Sequence, residues 1–233
     1  MRASLELLLL HALPLDGSMW REQMELLPGT THAPTLYRLG NCIEEWAVAA
    51  LRMAKGDRLV VVGCSVGGSC ALEVAAAAPE RVAALVLIGT KAKHHPDPAL
   101  HTKALAMLEE GGMERAWRAL WAPLFSPSVG HRTIGEAERI ALRQSPADVA
   151  RGVTAFHTRA SRDQILASLP CPVVLMTGED DPVPGLRVNA AQAASAPRGR
   201  LEIIPECGHY VPLERPAALN ATLRRLIAAM DRA

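Results

Sequence analysis

The segment Gly-Cys-Ser-Val-Gly at residues 63–67 constrains the fold of this chain more than any other stretch of its sequence. It follows an apolar run at residues 59–62 and precedes an alanine-rich stretch at 71–78, which predicts a strand that turns sharply into a helix at Ser65. Glycines at both ends of the segment suit such a turn, because side chains there would collide with neighbouring backbone. The segment has the form of a nucleophile elbow, in which a serine hydroxyl projects from the edge of a sheet.

A serine hydroxyl is a weak nucleophile at neutral pH, so this interpretation requires a histidine base and an acid, in the chain order serine, acid, histidine. The apolar run at residues 173–176 is followed by a loop with three consecutive acids, and the run at 201–204 is followed by His209. The carboxyl ends of parallel strands share one edge of a sheet. We therefore expect Ser65, one of the three acids and His209 to meet at that edge.

Six apolar runs predict the strands of this sheet. They lie at residues 5–10, 35–39, 59–62, 84–88, 173–176 and 201–204. Helical patterns separate most of them, and such alternation predicts parallel strands with right-handed crossovers and helices on both faces. Between residues 90 and 168 the alternation stops, and the sequence reads as a series of helices.

These motifs together resemble the α/β-hydrolase family over most of the chain. Residues 11–16 with Trp20 resemble its His-Gly-x-Pro segment, residues 178–181 its acid loop, and residues 208–214 its histidine loop. The resemblance implies an α/β-hydrolase fold with six mostly parallel strands flanked by helices, without the first two strands of the family. It also implies a core formed by residues 1–90 and 168–233 and a helical cap inserted at residues 91–167.

The resemblance assigns the catalytic roles to Ser65, Asp181 and His209. Asp180 is the alternative acid, because the register of an acidic loop is uncertain by one residue. A tetrahedral intermediate needs two N–H donors near the elbow, and one is predicted to be the backbone of Val66 at the start of a helix. The family alignment gives the other donor as the backbone of Leu13.

His11 stands in the same segment as Leu13 and is interpreted as a neutral histidine that hydrogen-bonds the loop backbone. Three tryptophans are candidates for the substrate pocket, Trp20 from this segment and Trp117 and Trp121 from the cap. For the two cap residues, packing in the cap core is the alternative interpretation. Their spacing is helical, which suits either role.

The resemblance implies a serine-dependent carboxylic ester hydrolase that acts through an acyl-enzyme on a small or medium acyl ester, without a cofactor or a metal. Among relatives, the chain is most similar to pimeloyl-carrier-protein methyl ester esterases and 3-oxoadipate enol-lactonases. The same three residues serve hydrolysis of enol-lactones and of carbon–carbon bonds, and cofactor-free perhydrolysis. A ligand-binding pseudohydrolase is the alternative outside the enzymes. The expected partner is a small-molecule ester, lactone or thioester.

Composition agrees with these expectations. The 233 residues carry 25 basic and 24 acidic side chains, so no net field favours nucleic acid or a membrane surface. Five cysteines have no metal-ligand spacing, and their odd number argues against a complete disulfide framework, which predicts a reducing compartment. The apolar run near the start is too short for a secretion signal, and no run approaches the roughly 20 residues of a membrane span. A cytoplasmic location is the expectation.

Two charged clusters of the cap have weaker functional interpretations. Six arginines favour a solvated helix face over a binding site for a carboxylate or an acyl-carrier protein. They are Arg132, Arg139, Arg143, Arg151, Arg159 and Arg162. His94, His95 and His101 form a poor ligand set for a metal, because no matched carboxylate accompanies them.

Overall fold

The computed structural model describes residues 4–231 and contains one six-stranded sheet. The strands are β1 (Leu5–Leu10), β2 (Thr31–His32), β3 (Arg58–Cys64), β4 (Val82–Ile88), β5 (Val173–Gly178) and β6 (Gly199–Ile204). Their order is β2-β1-β3-β4-β5-β6, and every neighbouring pair is parallel. The predicted fold class is confirmed. All the strands end at the same edge, so the loops that follow them meet there.

One predicted strand is wrong. Residues 35–39 do not pair with the sheet, because Leu36–Arg38 form a single 3₁₀ turn. The second strand of the sheet is instead Thr31–His32, which pairs with Leu7 and Leu8 of β1. Pro34 lies between the two segments and has no N–H to donate to a strand ladder.

Nine helices occur among the described residues. They are α1 (Ile43–Met53), α2 (Val66–Ala77), α3 (Pro98–Ala116), α4 (His131–Leu142), α5 (Pro146–Thr158), α6 (Asp163–Ser168), α7 (Leu186–Ser195), α8 (Val211–Glu214) and α9 (Pro216–Asp231). Further 3₁₀ turns span Gly17–Leu26 and Ala122–Leu124, and a π-helical turn spans Trp117–Trp121. Almost every residue of α2 is buried, so the helix that begins at the elbow is enclosed by the sheet and its neighbours.

Four helices, α3 to α6, separate β4 from β5, where the sequence predicts the cap. The longest of them, α3, is interrupted at Gly112, whose φ of 64° is not helical. The division into a core and a cap at residue 91 and residue 168 stays a prediction. Residues 1–3 and 232–233 of the predicted core lie outside the described residues.

The centre of the sheet is the core of the molecule. The last four residues of β1 and six of the seven residues of β3 are buried, which accounts for their uninterrupted apolar sequences. The apolar run near the start of the chain is therefore an internal strand. Within residues 4–231, no helix combines the length and the apolar character needed to cross a membrane.

Candidate active site

Ser65 lies in a strained turn between β3 and α2. Its backbone has a φ of 55° and a ψ of −117°, a region that residues with a side chain seldom occupy. The turn is packed against backbone on both sides, since a Cβ on Gly63 would overlap the carbonyl oxygen of Gly67 and one on Gly67 would overlap that of Leu10. The backbone N–H of Ser65 donates to Ile88 O at 2.8 Å. These contacts hold the serine at the end of β3, at the sheet edge where β4 also ends.

Asp181 and His209 come together beside this turn. Asp181 follows β5, His209 follows β6, and His209 Nδ1 lies 3.0 and 3.1 Å from the two carboxylate oxygens of Asp181. Only 5% of Asp181 and 3% of His209 are exposed, so the pair is shielded from water. An Nδ1–H that donates to the carboxylate leaves Nε2 free to accept a proton.

Gly89, directly after β4, makes room for this pair. Its φ is 56°, and a Cβ there would lie 2.7 Å from His209 Nδ1 and 3.1 Å from Asp181 Oδ2. A side chain at this position would therefore strain the backbone and displace the imidazole. The three strand ends β3, β4 and β5 thus meet around His209.

Asp180 is engaged elsewhere. Its Oδ2 accepts a hydrogen bond from Ser126 Oγ at 2.6 Å, on the segment that follows the 3₁₀ turn Ala122–Leu124. Asp181, in contrast, accepts from His209 and from the backbone N–H of Val183. Of the two acids left open by the sequence, the geometry brings Asp181 to the histidine.

Contacts around the elbow place the histidine loop next to Ser65. The thiol of Cys64 lies 3.7 Å from His209 O, and Thr90 Oγ1 donates to Ser65 O at 3.2 Å. Ser65 Oγ makes no hydrogen bond to any residue within the described chain, His209 included. Hydrogen bonds between catalytic groups often tighten only when substrate is bound. Burial raises the pKa of the Cys64 thiol well above its usual value, so this neighbour of Ser65 stays neutral.

The predicted oxyanion donors have no competing partner. Among residues 4–231, the backbone N–H groups of Leu13 and Val66 make no hydrogen bond to protein atoms. Val66 is the first residue of α2, where the helix dipole adds partial positive charge. The segment that carries Leu13 is braced on either side, because Ala12 N contacts Met19 Sδ at 3.4 Å and Leu15 N donates to Ala12 O at 2.9 Å.

His11 connects the segment that carries Leu13 to the backbone of Leu36. Its Nδ1 lies 3.0 Å from Ala12 O, and its Nε2 accepts from the backbone N–H of Leu36 at 2.8 Å. Both contacts are satisfied by the neutral ring with the proton on Nδ1. Burial lowers the pKa of His11 to about 4, and the contact with Ala12 only partly opposes that shift. The neutral, backbone-bonding histidine interpreted from the sequence is therefore what the structure contains.

Sequence reasoning did not identify the part played by Glu214. Its Oε2 accepts from the backbone N–H groups of Gly208 at 2.8 Å and Ser126 at 3.0 Å, and its Oε1 accepts from Tyr210 N at 3.0 Å. One buried carboxylate thus binds the two residues that flank His209 and the segment beside Asp180. The sequence carried a partial signal, since Glu214 closes the motif of the histidine loop.

The three candidate pocket tryptophans are all buried. Trp117 packs edge-on against Phe125 with ring centroids 6.0 Å apart, and Phe125 in turn packs on Tyr210 at 4.7 Å. This aromatic chain leads from the π-helical turn Trp117–Trp121 to the histidine loop. Trp20 and Trp121 belong to the same continuous apolar core. A role for any of the three in binding substrate stays a prediction.

Each of the six arginines of the predicted cap has a partner within the protein, although the side chains of Arg132, Arg139 and Arg143 are mostly exposed. Their nearest carboxylates are Glu136 for Arg132 and Arg139, Asp16 for Arg143, Asp148 for Arg151 and Glu73 for Arg162, while Arg159 lies over the ring of Phe156.

In the part of the chain that the structure describes, no group of three or more histidine, cysteine, aspartate or glutamate side chains is arranged to hold a metal ion.

Comparison with known proteins places this geometry in a family. Residues 7–222 match the alpha/beta hydrolase family. The chain is 28% identical to the pimeloyl-[acyl-carrier protein] methyl ester esterase of Aromatoleum aromaticum, with 91% of this chain and 93% of that protein covered. It is 25% identical to the 2-hydroxymuconate semialdehyde hydrolase of Pseudomonas putida over 78% of this chain, and the match spans 66% of that relative's length.

A solved structure has the same fold. The thermophilic esterase of Thermogutta terrifontis superposes with a TM-score of 0.87 at 24% identity, covering 98% of this chain and 91% of that one. The match to the family model extends from within β1 into α9 and includes the whole of β2 to β6. The resemblance predicted from the motifs is confirmed, and the chain belongs to the alpha/beta hydrolase family.

Proposed function

We propose that this protein is a serine-dependent carboxylic ester hydrolase that acts through an acyl-enzyme on small or medium acyl esters. The observation that carries the proposal is the buried hydrogen bond between His209 Nδ1 and Asp181, at the sheet edge where the strained Ser65 turn also lies. An acid that fixes a histidine beside an elbow serine is the arrangement required for nucleophilic acyl transfer.

The first chemical step forms the acyl-enzyme. Ser65 Oγ attacks the ester carbonyl while His209 Nε2 takes the hydroxyl proton, and Asp181 stabilises the resulting imidazolium. The carbonyl oxygen becomes an oxyanion in the tetrahedral intermediate. When the intermediate collapses, the bond to the alcohol oxygen breaks and His209 returns the proton to the leaving alcohol.

The second step releases the acid. Water gives a proton to His209 and its oxygen adds to the acyl carbon, and collapse of this intermediate restores Ser65 with the proton from His209. In both intermediates the negative oxygen is stabilised by the N–H groups of Leu13 and Val66, which make no hydrogen bond within the described chain. The loss of one such donor typically reduces kcat by about 10² to 10³. Neither step needs a cofactor.

The relatives support hydrolysis and favour esters. One relative, which matches over nearly its whole length, is a methyl ester esterase. The structural neighbour with a TM-score of 0.87 is an esterase. Carbon–carbon bond hydrolysis is the second candidate, because the Pseudomonas relative is a 2-hydroxymuconate semialdehyde hydrolase. Both reactions use the same serine and histidine.

The proposal is tested by labelling the protein with a fluorophosphonate and by measuring hydrolysis of p-nitrophenyl esters from acetate to decanoate. We expect the native protein to be labelled and to hydrolyse the short or medium esters, and Ser65→Ala to lose both properties. Ser69→Ala is the matched control, because Ser69 lies one turn further along α2 and its buried hydroxyl has no partner among the described residues. It should keep both.

The same assay distinguishes the two acids. Asp181→Asn should lower kcat by up to about 10⁴, because the imidazole loses the carboxylate that orients it. Asp180→Asn should keep most of the activity, since Asp180 binds Ser126 and not the histidine. A native protein that is not labelled and does not hydrolyse any ester would contradict the proposal and favour a ligand-binding role. Labelling without ester turnover would direct attention to lactones and to carbon–carbon substrates.

A further inference from the structure

Tyr210 connects the histidine loop to the oxyanion segment. It directly follows His209, is fully buried, and its hydroxyl donates to Leu13 O across 3.2 Å. Leu13 is far away in sequence and supplies one of the two proposed oxyanion donors. A single side chain therefore joins the residue that carries the base to the residue that carries an N–H of the oxyanion hole.

The position of the Tyr210 hydroxyl is set by contacts on every side of the residue. Its backbone N–H donates to Glu214 Oε1 at 3.0 Å, and its ring packs on Phe125 at 4.7 Å and edge-on against His209 at 5.3 Å. Burial raises the pKa of the phenol well above its usual value, so the hydroxyl keeps its proton. A protonated hydroxyl can donate its O–H, and it does so here because a carbonyl oxygen can only accept.

The backbone of Leu13 is held through both of its peptide planes. The plane that carries its N–H is held through Ala12 O, which accepts from Leu15 N and lies 3.0 Å from His11 Nδ1, and the plane that follows is held by Tyr210. The Leu13 carbonyl belongs to the bond with Pro14, which has no N–H, and within residues 4–231 the Tyr210 hydroxyl is the one hydrogen-bond donor to that carbonyl. The Leu13 N–H makes no hydrogen bond within the same residues. Without the tyrosine hydroxyl, the Leu13 carbonyl would be held by packing alone, and only the hydrogen bonds to Ala12 O would remain to orient the Leu13 N–H.

We propose that Tyr210 is a positioning residue that orients the Leu13 N–H toward the oxyanion and keeps that donor in register with His209. The inference rests on the proposed function, because it assigns a role in stabilising a tetrahedral intermediate. An oxyanion donor is effective only when it is preorganised, and a small displacement of a positioned group can reduce the rate by about 100-fold.

The test compares Tyr210→Phe with the native protein. We expect kcat/KM for p-nitrophenyl butyrate to fall by about ten- to a hundred-fold. We expect the inhibition constant of 1,1,1-trifluoropentan-2-one, which forms a tetrahedral adduct with the serine, to rise by a similar factor. The inhibition constant of pentan-2-one, which forms no such adduct, should stay within about two-fold. A merely structural tyrosine would not separate these two ketones.

Tyr37→Phe is the matched control. Tyr37 is also a buried tyrosine, but its hydroxyl has no partner among the described residues. Removing it should change neither kcat/KM nor the ratio of the two inhibition constants. Replacing Tyr210 with p-aminophenylalanine keeps an N–H donor at the same place and should restore the ratio toward the native value.

Three outcomes would overturn the inference. The first is a Tyr210→Phe variant with native kcat/KM and a native inhibition constant for the trifluoromethyl ketone. The second is an equal rise in the inhibition constants of both ketones. The third is a folded p-aminophenylalanine variant in which the ratio of the two inhibition constants does not recover. If the native protein itself neither is labelled by the fluorophosphonate nor hydrolyses the ester, the proposed function fails. If the native protein is active and Tyr210→Phe behaves identically, only the role of Tyr210 fails.

Discussion

The hydrogen bonds of His11 in the folded protein require its neutral form. Its two ring nitrogens bond Ala12 O and Leu36 N, and no part of the side chain is exposed. A proton on Nε2 would leave the Leu36 N–H facing another donor and would place a charge in an apolar interior. Protonation of this one residue therefore opposes folding.

The sign of the pH dependence follows from the pKa. Burial lowers the pKa of His11 from 6.5 to about 4 in the folded protein, so the unfolded chain binds the proton more readily between these values. The contribution of His11 to stability is complete above about pH 6.5 and is lost as the pH falls toward 4. A shift of this size corresponds to about 3 kcal/mol.

We expect the free energy of unfolding of His11→Gln to depend less on pH than that of the native protein. Glutamine can still offer one donor and one acceptor but does not titrate. Urea unfolding at a series of pH values from 7 to 4 measures both proteins, and the native protein should lose about 3 kcal/mol more than the variant over this range. Parallel curves would mean that His11 does not carry the acid sensitivity.

Glu214, the last residue of the short helix α8, organises the histidine loop as an element. Its carboxylate accepts hydrogen bonds from the backbone N–H groups of Gly208, Tyr210 and Ser126, as a neighbouring strand would accept them in a sheet. A carboxylate suits this position because it has only acceptors. The loop is thereby bound to the segment that follows the 3₁₀ turn Ala122–Leu124.

Glu214→Gln should destabilise the protein by about 2 kcal/mol, because the amide NH₂ must face at least one backbone N–H. For a chain of this size, the midpoint of thermal unfolding should fall by roughly 5 °C. Glu206→Gln is the control, since that side chain is 75% exposed and its nearest cation, Arg215, is 3.9 Å away. Equal midpoints for native protein and Glu214→Gln would show that the three bonds contribute nothing.

The strands could be predicted largely from sequence because four of the six apolar runs are buried strands, and the run at residues 201–204 is the more exposed edge strand β6. Residues 35–39 were an exception, since their Leu36 is held by a histidine 25 residues earlier in the chain, and no local pattern reveals such a bond. The order of loops on a parallel sheet predicted that His209 meets one of three consecutive acids, and the family resemblance assigned that role to Asp181, with Asp180 as the alternative. The roles of Glu214 and Tyr210 could not, because their partners Ser126 and Leu13 lie in distant segments.

At the scale of the whole molecule, an ion pair joins the helices inserted between β4 and β5 to the sheet layer. Arg162, at the start of α6, places Nε 2.7 Å from Glu73 Oε1 and donates from Nη2 to Glu73 Oε2 at 3.0 Å. Glu73 lies on α2 and is almost completely buried. Burial raises the pKa of the Glu73 carboxyl, and the guanidinium of Arg162 opposes that rise.

We expect each single replacement, Glu73→Met or Arg162→Met, to reduce the free energy of unfolding by about 3 kcal/mol, because each leaves the other charge without its partner. The double variant should lie within about 1 kcal/mol of the native protein, since both charges are gone. Urea unfolding of the four proteins gives the coupling energy directly. Additive losses would indicate that the two side chains act independently.

The order of the site residues along the chain has a consequence for how activity arises during folding. Ser65 precedes the helical interval, whereas Asp181 and His209 follow it and reach Ser65 only when β5 has paired with β4 and β6 with β5. Such non-local pairing is slow to form and depends on most of the chain. Ester turnover should therefore return late in refolding, with the completed sheet, and can serve as a signal that the entire molecule has assembled.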